Sequence, residues 1–160
     1  MKEWIKSILV LPFNVTITIP FLILYFSKFK YNIPPIIQIS IGIVILFIGL
    51  FLLIWTILLF DKIGKGTLAP WAATKHLVVQ GPFKYTRNPM ITGVLSILTA
   101  EAILLNSIHI LFWMILFFFI NCIYFKLFEE KQLEKKFGDE YIKYKKNTPA
   151  WVPNLCFRKK

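Results

Sequence analysis

Negative charge is scarce in this 160-residue chain, where eight Asp and Glu face nineteen Lys and Arg for a formal net charge of +11. Charge of either sign is thin at 17% of residues, against roughly a quarter in a soluble domain. Too little polar surface therefore exists to cover a water-facing globule. Disorder is excluded as well, because 57% of the residues are apolar and 17% aromatic. Cysteine is nearly absent. Cys122 lies in an apolar run and Cys156 in the basic tail, and neither has CxxC or CxxH spacing, so no zinc site or disulfide framework is expected. No internal repeat and no low-complexity tract is visible. The basic excess does not read as a nucleic-acid footprint, since the basic residues border long uncharged apolar runs. With a mean hydropathy of +0.65, the chain reads as one integral membrane domain.

A bilayer core about 30 Å thick takes about 20 apolar residues at 1.5 Å each. Four runs approach that length: Ile8–Phe26, Ile36–Phe60, Pro89–Asn106 (interrupted by Glu101) and Ile108–Phe125. They predict an all-α bundle of four or five transmembrane helices, the last two a tight hairpin. The first run is longer than a signal-peptide core and lacks a small-x-small cleavage site, so it reads as an uncleaved span with kinks expected at Pro12, Asn14 and Pro20. With four spans, seventeen basic residues fall on the side of both termini and the 61–88 loop, and only Lys28 and Lys30 on the other. Both termini are thereby expected in the cytosol of a multi-pass protein.

Polar residues concentrate in the Asp61–Arg87 loop and the Glu129–Lys160 tail, where chemistry is expected. Gly81-Pro82 marks a turn, and Asn88-Pro89 is a helix start in which Asn can cap and Pro lacks an unneeded donor. A helix start next to Arg87 suits a carboxylate or phosphate; a capped membrane helix behind a snorkelling arginine is the plainer alternative. Leu133, Phe137, Tyr141 and Tyr144 recur at helical spacing and predict a cytosolic amphipathic carboxy-terminal helix. Glu129 and Glu130 stand where the fourth span leaves the bilayer, either as solvated charges or as functional carboxylates. His76, a single histidine in a loop next to Lys75, reads as a plain surface residue. Glu101 either reaches the outer interface or is a buried partner for a substrate.

Together these segments resemble a family. Gly81-Pro82-Phe83-x-Tyr85-x-Arg87-Asn88-Pro89-Met90-x-x-Gly93 is similar to the Arg-His-Pro box of the isoprenylcysteine carboxyl methyltransferases and the related phospholipid methyltransferases. The second half of that signature resembles Glu129-Glu130, Phe137-Gly138-Asp139-Glu140-Tyr141-x-x-Tyr144 and the stretch 148–153. The resemblance spans roughly residues 61–154, which makes 1–60 a pair of amino-terminal spans and 61–154 a catalytic core within a single domain.

What the resemblance implies is S-adenosyl-L-methionine as methyl donor and a lipid or prenylated acceptor entering from the bilayer. Cofactor contacts are implied for Lys75, His76, Leu77, Val78, Phe83, Asn88, Pro89, Met90, Ile91 and Glu129, and catalytic roles for Arg87, Asn88 and Glu130. Three positions depart from the family pattern. Asn88 replaces a histidine and cannot titrate, Ile91 replaces a tyrosine, and Phe125 replaces an arginine that would hold a carboxylate acceptor. The last departure favours an amine or another lipid acceptor over a prenylcysteine. Two alternatives stand beside this reading: an NADPH-dependent reductase related to the sterol reductases, and a non-catalytic scaffold or transporter.

Overall fold

Residues 9–64 and 76–151 are described by the computed structural model, and every regular element among them is helical. Leu9–Thr18 is wound as a π-helix and runs into α1 (Ile19–Phe26). Pro12 and Asn14 therefore accompany a wider winding, Pro20 stands in the first turn of α1, and none of them breaks the segment; the Thr16 hydroxyl donates to the Pro12 carbonyl at 2.8 Å. A turn with Lys28 at positive φ leads through Pro34-Pro35 to α2 (Ile36–Leu59). Its interior carries no proline and no charge, so nothing interrupts 24 residues, about 36 Å of helix. A π-helical turn, Phe60–Gly64, closes it.

Beyond residues 65–75 the chain forms a 3-10 turn at Gly81–Lys84 and then α3 (Pro89–Leu104). Gly81 takes φ +57°, which admits the Gly-Pro turn without a Cβ penalty. The expected Asn88 cap does not form: its side chain makes no bond to the helix start and reaches across to the tail. Proline at the first position already removes one of the donors a cap would serve. α4 (Ile108–Tyr124) follows after a three-residue turn, giving the expected hairpin.

The tail departs from expectation. α4 continues through a π-helical turn, Phe125–Glu129, into α5 (Glu130–Phe137), making one 30-residue helix. Gly138 then breaks it at φ +54°, and α6 (Asp139–Asn147) sets off separately. The single amphipathic helix is thus two, because Gly138 ends one before Tyr141 and Tyr144 begin the next turn.

Two helices, Ile36–Leu59 and Ile108–Phe137, are long and apolar enough to cross a membrane; Pro12–Phe26 and Pro89–Leu104 are apolar but shorter. The expected count of four is therefore met by two on length. α3 reaches only about 24 Å, short of a bilayer core. Large apolar side chains such as Ile37, Phe47, Phe51, Phe112 and Ile123 stand exposed along the outer faces of α2 and α4, a surface suited to hydrocarbon.

Packing centres on the seam between α2 and α3. Leu53 and Ile57 bury against Val94, Ile97 and Leu98, with Val15, Met90, Trp113 and Phe117 closing around them. Gly49 and Gly93 let the backbones meet: a Cβ on Gly93 would lie 3.1 Å from the Gly49 carbonyl oxygen and from the Leu53 nitrogen. Such close backbone contact is how small residues join apolar helices. Trp113 ties α4 to the first helix by donating to the Val15 carbonyl at 3.1 Å.

Candidate functional site

The segment between the 3-10 turn and α3 carries Arg87, and the chain wraps its tail around it. The Arg87 backbone N–H donates to Pro149 at 2.9 Å, the Thr86 hydroxyl to Ala150 at 2.9 Å and the Asn88 amide to Ala150 at 3.1 Å. From α6, the Tyr144 hydroxyl donates to the Phe83 carbonyl at 2.7 Å. Trp151 lies edge-on to Phe118 and Phe125 at 5.3 and 5.8 Å, pinning the tail to α4. The two halves of the sequence signature, 43 to 65 residues apart, form one clasp.

Inside the clasp, Arg87 Nη1 donates to Glu130 Oε1 at 2.7 Å and to the Tyr141 hydroxyl at 3.2 Å. Lys145 reaches the other Glu130 oxygen at 2.6 Å and Glu134 at 2.9 Å. The Arg87 and Glu130 side chains are only 11% and 15% exposed, so this pair works in a reduced dielectric. Burial raises the Glu130 carboxyl, but the hydrogen bond from Lys145 and the charge of Arg87 outweigh it and hold the group below its ordinary range. Glu129 differs. Burial, reinforced by the Glu130 charge, pushes it up to about 7, and no hydrogen bond or ion pair engages it among the described residues. Both carboxylates lie past Phe125, where the uncharged stretch of α4 ends. The Tyr141 and Tyr144 hydroxyls are raised chiefly by burial.

Other implied contacts fall at graded depths. His76 is exposed and Leu77 half-buried, whereas Val78 and Phe83 are each only 5% exposed. Asn88 and Pro89 are buried, and Met90 and Ile91 half-buried, Met90 against the seam. Lys75 lies outside the described residues, as does Cys156. Arg87, Asn88 and Glu130 thus share one clasp, and Glu129 adjoins it in the chain. Glu101 sits in α3 with Oε2 buried and unpartnered, and it does not belong to the clasp.

Sequence reading had no place for Lys145 or for the carbonyls of Pro149 and Ala150. Lys145 is recoverable from the pattern, since Tyr141 and Lys145 are four apart on α6 as Glu130 and Glu134 are on α5. Backbone acceptors leave no residue-type signal. Phe125, which stands where the family pattern has an arginine, is half-buried against Trp151.

A donor with an amino-acid end finds suitable partners in this set. Arg87 Nε is buried with no hydrogen-bond partner, leaving one strong donor unspent, and Glu129 offers an unpaired carboxylate. Comparison with known proteins adds one finding: residues 37–140 match the family model described as phospholipid methyltransferase. No curated protein and no solved structure matches.

Proposed function

Since the chain belongs to the phospholipid methyltransferase family, whose members are methyltransferases acting on lipid-like substrates, we propose that it methylates a lipid head group with S-adenosyl-L-methionine at the clasp. One observation carries the reading. Arg87, which the amino-terminal half of the signature supplies, is bound to Glu130 and Tyr141 from the other half while its Nε is left free and buried. When bound, the donor would supply an electrophilic methyl on a sulfonium, taken up in line by an acceptor lone pair as the carbon–sulfur bond breaks and the neutral thioether leaves.

The chain's own part is binding, orientation and exclusion of water. Glu129 would hold the ammonium of the donor's amino-acid end and Arg87 Nε its carboxylate, a pair of charge-assisted bonds. Glu130, fixed by Arg87 and Lys145, keeps the guanidinium at one angle. Phe125 and Trp151 form an apolar wall, and a ring face attracts an ammonium by about 0.5–2 kcal/mol. This favours an amine head group over a prenylcysteine carboxylate, for which position 125 offers no arginine. The proposed topology has four spans with both termini and the clasp in the cytosol, supported by the seventeen-to-two basic asymmetry. The nicotinamide and scaffold alternatives have no comparable support.

Calorimetry with S-adenosylhomocysteine on the purified protein tests the reading. Binding is expected, and Glu129→Gln should weaken it about tenfold or more, as loss of a hydrogen bond to a charged group does. NADPH binding in its place would overturn the proposal. Radiolabelled methyl transfer to amine lipids and to a prenylcysteine, with wild type and Phe125→Arg, assigns the acceptor.

A further inference from the structure

At the end of the bundle remote from Arg87 lies a second polar feature, unrelated to the clasp. A recess of about 460 Å³ opens between the start of α2, the end of α3 and the start of α4. Its lining is polar at Gln38, Asn106 and Ser107, of which Ser107 is buried, and apolar at Ile41, Ile103 and Leu111. Ser107 is only 3% exposed, and its Oγ is buried with no hydrogen-bond partner. It occupies the cap position of α4 yet makes no side-chain cap bond. The first N–H groups of that 17-residue helix have no acceptor within the helix.

The sign of the missing partner follows from what the turn has already used. Asn106, at φ +48°, folds the chain so that its N–H reaches the Ile103 carbonyl at 3.2 Å and the Ser107 N–H the Ala102 carbonyl at 2.9 Å. Carbonyls at the end of α3 are thus occupied, while donors at the start of α4 are not. A helix start carries partial positive charge, and the hydroxyl and two amides add three more groups that can donate. Glu101, the acidic residue of α3, does not line the recess. Lys28 and Lys30 lie in the turn that leads into α2 at this same end.

From this geometry we infer that the recess binds the phosphate of a phospholipid, with the acyl chains along its apolar walls. The site goes beyond the proposed methyl transfer, since about 24 Å of α3 separates it from Asn88. Two of its lining residues, Ile41 and Ile108, are exposed apolar side chains, which favours a lipid phosphate over a free one.

Thermal stability of the full chain in uncharged detergent tests this, titrated with short-chain phosphatidylglycerol, the matching diacylglycerol and inorganic phosphate. Saturable stabilisation is expected from phosphatidylglycerol alone. Ser107→Ala should weaken its apparent affinity about tenfold. Gln38→Leu, at an exposed position, should weaken it about threefold while leaving the lipid-free melting temperature unchanged. Equal response to diacylglycerol, or unchanged affinity in both variants, would overturn the proposal. Equal stabilisation by inorganic phosphate would mark a free-anion site and overturn the lipid assignment. Glu129→Gln is expected to leave phosphatidylglycerol affinity unchanged; an effect there, with none from Ser107→Ala, would move the lipid to the clasp.

Discussion

The seam between α2 and α3 and the clasp around Arg87 hold the same chain together by different physics. At the seam, Gly49 and Gly93 bring two backbones into contact, with apolar side chains on either side. At the clasp, polar bonds join residues from 43 to 65 positions apart, and much of the contact is side chain to carbonyl. Within hydrocarbon there is no water to exclude, so shape and close approach decide. At the boundary water competes, and a tail is held only if several bonds act together in a partly shielded place. A rigid frame carries a polar site assembled from its loose ends.

The sharpest way to break that contrast is at Gly93. Leucine there must displace backbone atoms of α2 and not merely a flexible side chain, so Gly93→Leu should cost about 3 kcal/mol, the upper part of the overpacking range. Thermal unfolding in detergent should show it, and an unchanged melting temperature would mean the seam is looser than the structure has it.

Acidity separates the two regions further, because the buried apolar cluster at the seam contains no titratable group and the clasp several. Glu129, raised to about 7 by burial and by Glu130, keeps a proton in the folded chain that the unfolded chain releases near 4.5. Its contribution to stability is therefore present below about 4.5 and lost as pH rises through about 7. Glu130, held low, contributes in the opposite sense, present above its unfolded value and lost as pH falls. Melting temperature measured from pH 5 to pH 8 should decline in wild type and decline less steeply in Glu129→Gln. A parallel decline in the variant would remove Glu129 as the cause.

The smallest effect belongs to a single strand of the clasp. Tyr144→Phe removes the hydroxyl bond to Phe83 and should cost about 1 kcal/mol, or roughly 2–4 °C of melting temperature. A loss as large as that from Gly93→Leu would mean the clasp acts as one cooperative unit.

Much of this was legible in the residues. Uninterrupted runs of Ile, Leu and Phe marked the helices, and Asn88-Pro89 marked the start of α3. Arg87, Asn88 and Glu130 were grouped by the family resemblance, and the structure places them in one clasp. What stayed hidden was whatever depends on backbone: the π-helical winding around Pro12, the break at Gly138 and the carbonyls of Pro149 and Ala150 that orient Thr86, Arg87 and Asn88. Periodicity carried Leu133 to Tyr144 as one helix because a glycine does not disturb an apolar stripe. Helix length was harder too, since an apolar run through Asn106 ends as helix at Leu104, where Asn106 turns the chain.

On the proposed topology, the unbroken helix from Ile108 to Phe137 makes membrane thickness a mechanical input to the clasp. Its apolar part and the two carboxylates ride on one stiff rod, with Glu129 about 32 Å along it from Ile108. A thinner bilayer tilts the rod or lets its polar end stand farther out, and a thicker one draws that end inward. The height of Glu129 above the hydrocarbon, and with it the water it meets, is then set by the lipids as much as by the fold.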